Sequence, residues 1–225
     1  MRGEAAGWKL SFVPDFSLER AALASGVTGP IVGVDEVGRG PWAGPVFACA
    51  ALLFERPAPK TFLNALADSK ALSKKRREAL APEIPNYAAI ALAEASVEEI
   101  DALNILGATK LAMKRAVEAL EAQIETPIAL ALIDGNQPPK LSCKTQSVIK
   151  GDGISASIAA ASIFAKVARD QYMADLSIQY PGYGWEQNAG YGVPAHKTGL
   201  YSLGVTIHHR RTFTPVSKVL TQKDS

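Results

Sequence analysis

Cysteine and long apolar runs are both scarce in this sequence. Its 225 residues include only two cysteines, Cys49 and Cys143, which excludes a disulfide scaffold and a four-cysteine zinc site. No uninterrupted apolar run approaches the ~18 residues that indicate a membrane span. The first 26 residues mix charges with short apolar patches and lack the apolar core of a signal peptide. We therefore expect a cytoplasmic protein that does not enter a membrane.

A strong net charge is missing too, because 24 Lys and Arg residues against 22 Asp and Glu residues leave only +2. The hydrophobic content of 48% excludes a disordered chain, since that much apolar surface can offset the entropy lost on ordering. The charge is uneven, however. Residues 141–225 carry 9 basic and 5 acidic side chains, or +4, and the remainder therefore carries −2. A basic part favours a phosphate-rich partner, although an ordinary solvated surface explains such a charge as well.

Apolar runs separated by turn signals predict strands first and then alternating helices and strands. The predicted strands cover residues 30–34, 45–54, 87–93, 127–133 and 146–149. The predicted helices cover residues 60–66, 73–81, a long region opened by the S-x-x-E pattern at Ser96, residues 154–176, and a short piece near 195–203. A short loop joins the first two strands, which predicts an antiparallel pair. We therefore predict an α/β protein whose mixed sheet is covered on both faces.

Acidic residues stand at the ends of predicted strands. Asp35 and Glu36 follow one apolar strand, Asp134 follows another, and Asp152 precedes the helix predicted over residues 154–176. A carboxylate in such a place is costly unless it is neutralised, yet no Lys or Arg adjoins Asp35 or Asp134 in the sequence. Any one of the four has an alternative as a capping residue, Asp152 above all. Together they predict a site for Mg²⁺ or Mn²⁺ and favour phosphodiester chemistry.

A glycine-rich turn over residues 38–44 follows the paired acids. It lacks the Gly-Lys-Ser/Thr ending of a P-loop and the spacing of a dinucleotide-binding turn. A tight β-turn alone explains many such segments. Here, glycines on both sides of Arg39 leave the backbone bare beside the acids, which permits the close approach that a sugar or a phosphate requires.

The sequence G-V-D-E-V-G-R-G at residues 33–40, continued by A-G-P-V at 43–46, closely resembles the signature of ribonuclease HII, the type 2 ribonuclease H family. Further blocks follow in the family's order: D-S-K at 68–70, I-D-G at 133–135, K-G-D at 150–152, I-A-A-A-S-I at 158–163, G-Y-G at 190–192 with a histidine at 196, and H-R-R-T-F at 209–213. These blocks span about residues 14–216. The resemblance implies a ribonuclease H-like fold, in which a mixed central sheet is flanked by helices and followed by a helical C-terminal extension from about residue 177.

The resemblance also implies an activity and the residues that carry it. The activity is endonucleolytic cleavage of RNA in RNA–DNA hybrids and at single ribonucleotides in duplex DNA. The family's catalytic, metal-binding acids correspond to Asp35, Glu36, Asp134 and Asp152. Its loop that reads the ribose 2′-OH through backbone groups corresponds to Gly38, Arg39 and Gly40, and the ring that stacks on the junction sugar corresponds to Tyr191. Further candidates for phosphate contact or for support of the site are Ser69, Lys70, His209 and Arg210.

We expect a partly disordered leader over residues 1–27, one catalytic domain over 28–216 and a tail over 217–225, in a monomer. His196 and His208 are expected at the surface, because oxygen-seeking metals do not require imidazole. One alternative is ribonuclease HIII, which carries an additional N-terminal domain, but ~30 residues before the first strand are too few for one. The other alternative is a non-catalytic nucleic-acid-binding module, which would gain nothing from four acids facing phosphates.

Overall fold

The computed structural model describes residues 13–66 and 72–223. Its sheet consists of β1 (Ile31–Val37), β2 (Val46–Leu53), β3 (Ala88–Ala95), β4 (Leu130–Asp134) and β5 (Lys144–Val148), in the spatial order β3-β2-β1-β4-β5. β1 pairs antiparallel with β2 and parallel with β4, and β4 pairs parallel with β5. The predicted mixed sheet and the predicted antiparallel first pair are both confirmed.

Helices cover the sheet and form the C-terminal region. They are α1 (Ser17–Ala24), α2 (Lys60–Ala65), α3 (Lys74–Leu80), α4 (Val97–Ile124), α5 (Ala156–Gln179), α6 (Trp185–Asn188), α7 (Pro194–Leu203) and α8 (Thr214–Lys223). Among the residues that the structure describes, no helix combines the length and the apolar character needed to cross a membrane.

The two faces of the sheet belong to two different apolar clusters. Ala48 and Ala50 of β2 pack with α4, whereas Cys49 and Ala51, one residue along, pack with α5. This division follows from the alternation of side chains along a strand. α4 begins at the predicted capping box, in which Ser96 and Glu99 bond each other's backbone N–H groups.

α5 lies unusually close to β1 because both contribute small residues at the contact. A Cβ atom added to Gly33 would stand 2.2 Å from backbone atoms of Ser157 and Ile158, so only glycine fits there. The helix begins at Ser155, whose Oγ accepts a hydrogen bond from the N–H of Ile158 at 3.2 Å. Asp152 is therefore not the cap of this helix, and the capping alternative for it is wrong.

Both ends of the described chain pack more closely on the domain than expected. Within the predicted leader, Phe16 is buried and Glu19 of α1 accepts a hydrogen bond from the Ser155 hydroxyl at 2.7 Å. Within the predicted tail, α8 continues to Lys223 and Val219 is buried against α7. Packed structure therefore extends into the predicted leader and tail, because apolar side chains of α1 and α8 are buried against the rest of the domain.

Candidate active site

Two neighbouring parallel strands bring the first acids together. β1 and β4 pair with Val34 opposite Ile133, so that Asp35 and Asp134 follow side by side at the carboxyl ends of these strands. In open α/β sheets this edge is where ligands bind. The prediction that the two acids share one edge of the sheet is confirmed.

A cavity of about 430 Å³ opens at this edge. It is lined by three of the predicted acids, by the glycine turn and by residues from α3, α5 and the segment before α7. The lining residues are Asp35, Glu36, Val37, Gly38, Arg39, Gly40, Arg77, Asp134, Ser162, Lys166 and Tyr191. Seven of the residues predicted for the site from the sequence therefore lie around one space.

Asp35 is the most buried acid of the cavity wall, with 5% of its surface exposed. Burial raises the pKa of its carboxyl well above the usual value, and the charges of Glu36 and Asp134 raise it further. Hydrogen bonds from the Ser162 hydroxyl and from the N–H of Glu36, the latter at 2.7 Å, act in the opposite direction. Among the described residues, the carboxylate of Asp35 thus has no cationic partner and is held in place by neutral donors.

The other two acids of the wall have partial compensation. Burial raises the pKa of Glu36, whereas Arg39, whose Nη1 lies 3.4 Å from Oε1 of Glu36, lowers it. The Oδ1 of Asp134 accepts a hydrogen bond from the N–H of Gly151 at 2.6 Å. Each carboxylate keeps oxygen capacity toward the cavity that the protein itself does not neutralise.

The donor set fits a hard divalent cation. Within residues 13–66 and 72–223, no three His, Cys, Asp or Glu side chains form a ready-made metal-binding group. Burial is the largest cause of the raised pKa of Asp35, and the charges of Glu36 and Asp134 add to it; an oxygen-seeking cation bound among the three carboxylates would offset both effects. Asp35, Glu36 and Asp134 are therefore the residues that would hold the ion.

Asp152 is buried in the turn Gly151–Gly153 and does not line the cavity. Its neighbour Gly151 bonds Asp134, which places Asp152 just behind the acids of the wall. Ser69 and Lys70, the other predicted residues from the D-S-K block, lie outside the described residues.

Tyr191 also lines the cavity, with 42% of its surface exposed. The glycine turn is adjacent, and a Cβ atom added to Gly40 would lie 3.3 Å from the Tyr191 ring. A sugar that enters the cavity would therefore meet bare backbone and an aromatic ring next to each other.

Two buried histidines, His196 and His209, form a chain of hydrogen bonds that ends on the backbone carbonyl of Tyr191. His196 Nδ1 lies 3.0 Å from the carbonyl oxygen of Tyr191, to which it donates. His196 Nε2 then accepts from Trp185 Nε1 and from His209 Nε2, both at 3.1 Å, while His209 Nδ1 accepts from the N–H of Thr206 at 3.0 Å. Both rings are neutral in this arrangement, and burial lowers the pKa of His209 to about 3.

These contacts correct one expectation and bear on another. His196 was expected at the surface but is fully buried, because its ring is packed between Trp185 and His209. His209 was a candidate for phosphate contact or for support of the site. It lies outside the cavity wall and both of its ring nitrogens have partners inside the protein, which favours the second alternative.

Arg210 was predicted to bind substrate and is likewise fully buried. All three guanidinium nitrogens donate to backbone carbonyls of the glycine turn and of Pro45. Arg210 therefore lies behind the cavity wall, where a phosphate has no access to its guanidinium group.

Four cavity residues were not predicted, namely the apolar Val37 and the polar Arg77, Ser162 and Lys166. Ser162 and Lys166 follow Ile158 on α5 at intervals of four residues, and Ile158 lies against Gly33 of β1. This spacing placed all three on the helix face that meets β1, a signal that the sequence contained. Arg77 belongs to the basic run at residues 74–77, where nothing in the sequence separates it from its neighbours.

Comparison with known proteins agrees with this geometry. The sequence model described as Ribonuclease HII matches residues 32–216. A Ribonuclease HII from Jannaschia sp. (strain CCS1) is 55% identical over 208 residues, which are 92% of this chain and 98% of the relative. Another, from Paramagnetospirillum magneticum, is 52% identical over 92% of this chain and 99% of the relative.

Solved structures share the fold at much lower identity. Ribonuclease H2 from Pyrococcus horikoshii OT3 superposes with a TM-score of 0.73 at 23% identity, over 88% of this chain and 100% of the other. Bst-RNase HIII in complex with Mn²⁺ gives a TM-score of 0.70 at 19% identity, over 98% of this chain and 76% of the other. The match along most of the chain, together with the acids at the sheet edge, shows that this protein belongs to the ribonuclease HII family of RNA-cleaving endonucleases.

Proposed function

We propose that this protein hydrolyses the RNA strand of RNA–DNA hybrids and cuts on the 5′ side of single ribonucleotides in duplex DNA. The products carry a 3′-OH and a 5′-phosphate, and the cofactor is a pair of Mg²⁺ or Mn²⁺ ions. The observation that carries the proposal is one cavity that is lined by Asp35 and Asp134, by the bare backbone of the glycine turn and by the ring of Tyr191.

The acids are the proposed ligands of the metal. Asp35, Glu36 and Asp134 offer oxygens at the wall, and Asp152 is the proposed fourth acid from its place beside Gly151. Bound there, divalent cations supply Lewis acidity, which makes a water nucleophilic at neutral pH and offsets charge on the leaving oxygen. The presence of Mn²⁺ in the structural relative Bst-RNase HIII supports a cation of this class.

The chain's own residues hold and select the nucleic acid. The proposed donors to the ribose 2′-OH are N–H groups of the turn at Gly38, Arg39 and Gly40, and the proposed platform for the sugar is Tyr191. Arg77 and Lys166 also line the cavity, where their positive charge suits the phosphates of the strand, although Lys166 Nζ is paired with Asp170 at 2.7 Å. The proposal also includes the expected place and state of the enzyme, which are the cytoplasm and a monomer.

The decisive experiment is cleavage of an end-labelled DNA duplex that carries one ribonucleotide, with the products mapped to the nucleotide. We expect a single cut 5′ of the ribonucleotide in Mg²⁺ or Mn²⁺ and none in EDTA. A long RNA–DNA hybrid and an all-DNA duplex serve as positive and negative controls. A protein that shifts the substrate in a gel but never cuts it would instead be a binding module.

A further inference from the structure

Two arginines that lie far from the glycine turn in the sequence donate hydrogen bonds to its backbone carbonyls. Arg210 lies after α7 and Arg169 lies on α5, and both are fully buried. Neither forms an ion pair with a carboxylate among the residues that the structure describes. Burying such a charge is costly, so its hydrogen bonds must serve the fold or the site.

Every hydrogen bond of the Arg210 guanidinium ends on a carbonyl of the turn or of Pro45. Nη2 donates to Gly38 O at 2.6 Å and to Pro45 O at 3.3 Å, Nη1 donates to Arg39 O at 3.0 Å, and Nε donates to Gly44 O at 2.9 Å. Burial, with a contribution from the nearby charge of Arg169, lowers the pKa of Arg210 to about 9. Arg210 therefore remains a cation at neutral pH.

These bonds fix the direction of the N–H groups of the turn. In a planar trans peptide, the carbonyl of one residue and the N–H of the next point in opposite directions. When Gly38 O and Arg39 O are drawn inward to Arg210, the N–H groups of Arg39 and Gly40 point outward, on the side where both residues line the cavity. No described residue accepts a hydrogen bond from either N–H.

Arg169 joins the turn to the segment that carries Tyr191. Its Nη2 donates to Ala43 O at 3.2 Å and its Nη1 donates to Ala189 O at 3.0 Å. Its side chain also fills the space beside Gly38, where a Cβ atom would stand 2.2 Å from Nε. Together with the hydrogen bond from the N–H of Trp42 to Gly190 O at 2.8 Å, this guanidinium holds the glycine turn against the segment that carries Tyr191.

We propose that Arg210 is a positioning residue for ribose recognition: it orients two peptide planes so that the N–H groups of Arg39 and Gly40 face the 2′-OH. Arg169 positions the same turn against Tyr191. The inference rests on the proposed reading of the 2′-OH by the turn. It predicts that weakening the guanidinium fork reduces selectivity for ribose more than it reduces affinity for duplex DNA.

The test compares wild type with Arg210→Lys, which keeps the positive charge but cannot bond four carbonyls. We would measure kcat and KM in Mg²⁺ for a duplex with one ribonucleotide, and Ki for the same duplex without it as a competitive inhibitor. Loss of well-aligned donors to the 2′-OH should raise KM about tenfold, while Ki changes less than about twofold. Leu120→Ala is the control for a general loss of stability, because Leu120 is buried in the apolar cluster between α4 and the sheet and does not line the cavity.

Two results would overturn the inference. One is an unchanged Ki-to-KM ratio in Arg210→Lys with only a lower melting temperature, which would make Arg210 structural. The other is an equal Ki and KM in wild type, which would remove the proposed recognition of ribose itself. If Arg210→Lys does not fold, Phe213→Leu removes the ring whose centroid lies 5.2 Å from the guanidinium carbon. That variant keeps all donors, and we expect a smaller fall of the same ratio, whereas no fall would count against the inference.

Discussion

A single buried carboxylate, Asp35, dominates the electrostatics of the cavity. Asp35→Asn and Asp134→Asn should each abolish turnover, because each removes a charged oxygen ligand. The metal-free melting temperature should stay the same or rise, since Asp35, Glu36 and Asp134 repel one another. Cleavage assays and thermal melts in EDTA check both parts. Wild-type cleavage by either variant at moderate Mg²⁺ would contradict the assignment.

Asp152 needs a separate prediction because it lies behind the wall. Asp152→Asn should reduce turnover less than Asp35→Asn does, and excess Mn²⁺ should partly restore it. The measurement is the Mn²⁺ dependence of cleavage, with melting temperature as the control. A variant that melts lower but cuts normally when folded would show that Asp152 serves only the turn Gly151–Gly153.

Tyr191 presents an exposed ring to the cavity. Stacking on an aromatic ring is worth about 1–3 kcal/mol, or roughly a five- to hundredfold effect on binding. Tyr191→Ala should bind a single-ribonucleotide duplex more weakly by this factor. The loss should be smaller on a long hybrid, where many binding registers are available. Tyr191→Phe should keep the stacking. Tyr201→Ala is the control, as Tyr201 is exposed on α7 outside the cavity wall. Equal losses on both substrates would make Tyr191 structural.

Gly40 contacts the same ring, so that its substitution is best studied together with Tyr191. In Gly40→Ala, the new methyl group would meet the Tyr191 ring at 3.3 Å and occupy the sugar's space. We expect a fall in kcat/KM with little change in melting temperature. A double-mutant cycle with Tyr191→Ala separates the causes. If the methyl acts by displacing the ring, the double variant is no worse than Tyr191→Ala, whereas additive losses indicate direct obstruction of the sugar.

At the scale of elements, the contact between α5 and β1 positions the site. A methyl group at Gly33 would collide with the backbone of Ser157 and Ile158 and push α5, with Ser162, away from Asp35. Overpacking of this kind costs about 1–3 kcal/mol and more where backbone must move. Gly33→Ala should therefore lower both the melting temperature and kcat. Gly153→Ala is the control, since its methyl would meet nothing within 4 Å, and equal melting temperatures for the two variants would contradict the account.

For the whole molecule, the buried histidines predict a loss of stability in acid. His209 has a folded-state pKa of about 3, below the ordinary value of 6.5, so only the unfolded chain takes up its proton as the pH falls between these values. The free energy of unfolding then declines by about 1.4 kcal/mol per pH unit for each such histidine. The raised pKa of Asp35 acts in the opposite direction, because protonation of that carboxyl favours the folded state.

Comparison of wild type with His209→Asn isolates the histidine. Urea unfolding at pH 7 and pH 5 should show a smaller loss of stability for His209→Asn than for wild type, although the variant is less stable at pH 7. An identical pH dependence would show that folding does not lower the pKa of His209, contrary to the neutral ring assigned from its contacts with Thr206 and His196.

The sequence by itself determined the mixed sheet, most of the helices and the acids Asp35, Glu36 and Asp134, because these depend on local patterns. Alternation of apolar residues marks strands, capping residues mark helix starts, and a charged residue after a buried strand must emerge at an edge. The glycine turn was also visible from the residues, and the family blocks added its expected role in reading the 2′-OH and the expected role of Tyr191. All of these signals lie within a few residues of the feature that they predict.

Only the tertiary structure decided the roles of His209, Arg210 and Ser162. Sequence marks a histidine or an arginine as polar, yet whether it faces a phosphate or a buried carbonyl depends on packing between segments far apart in the chain. Arg210 reaches Gly38 across 172 positions of sequence. That contact exists because α7 and α8 pack over the turn. No local pattern in the sequence indicates which backbone carbonyls are buried there and require a hydrogen-bond donor.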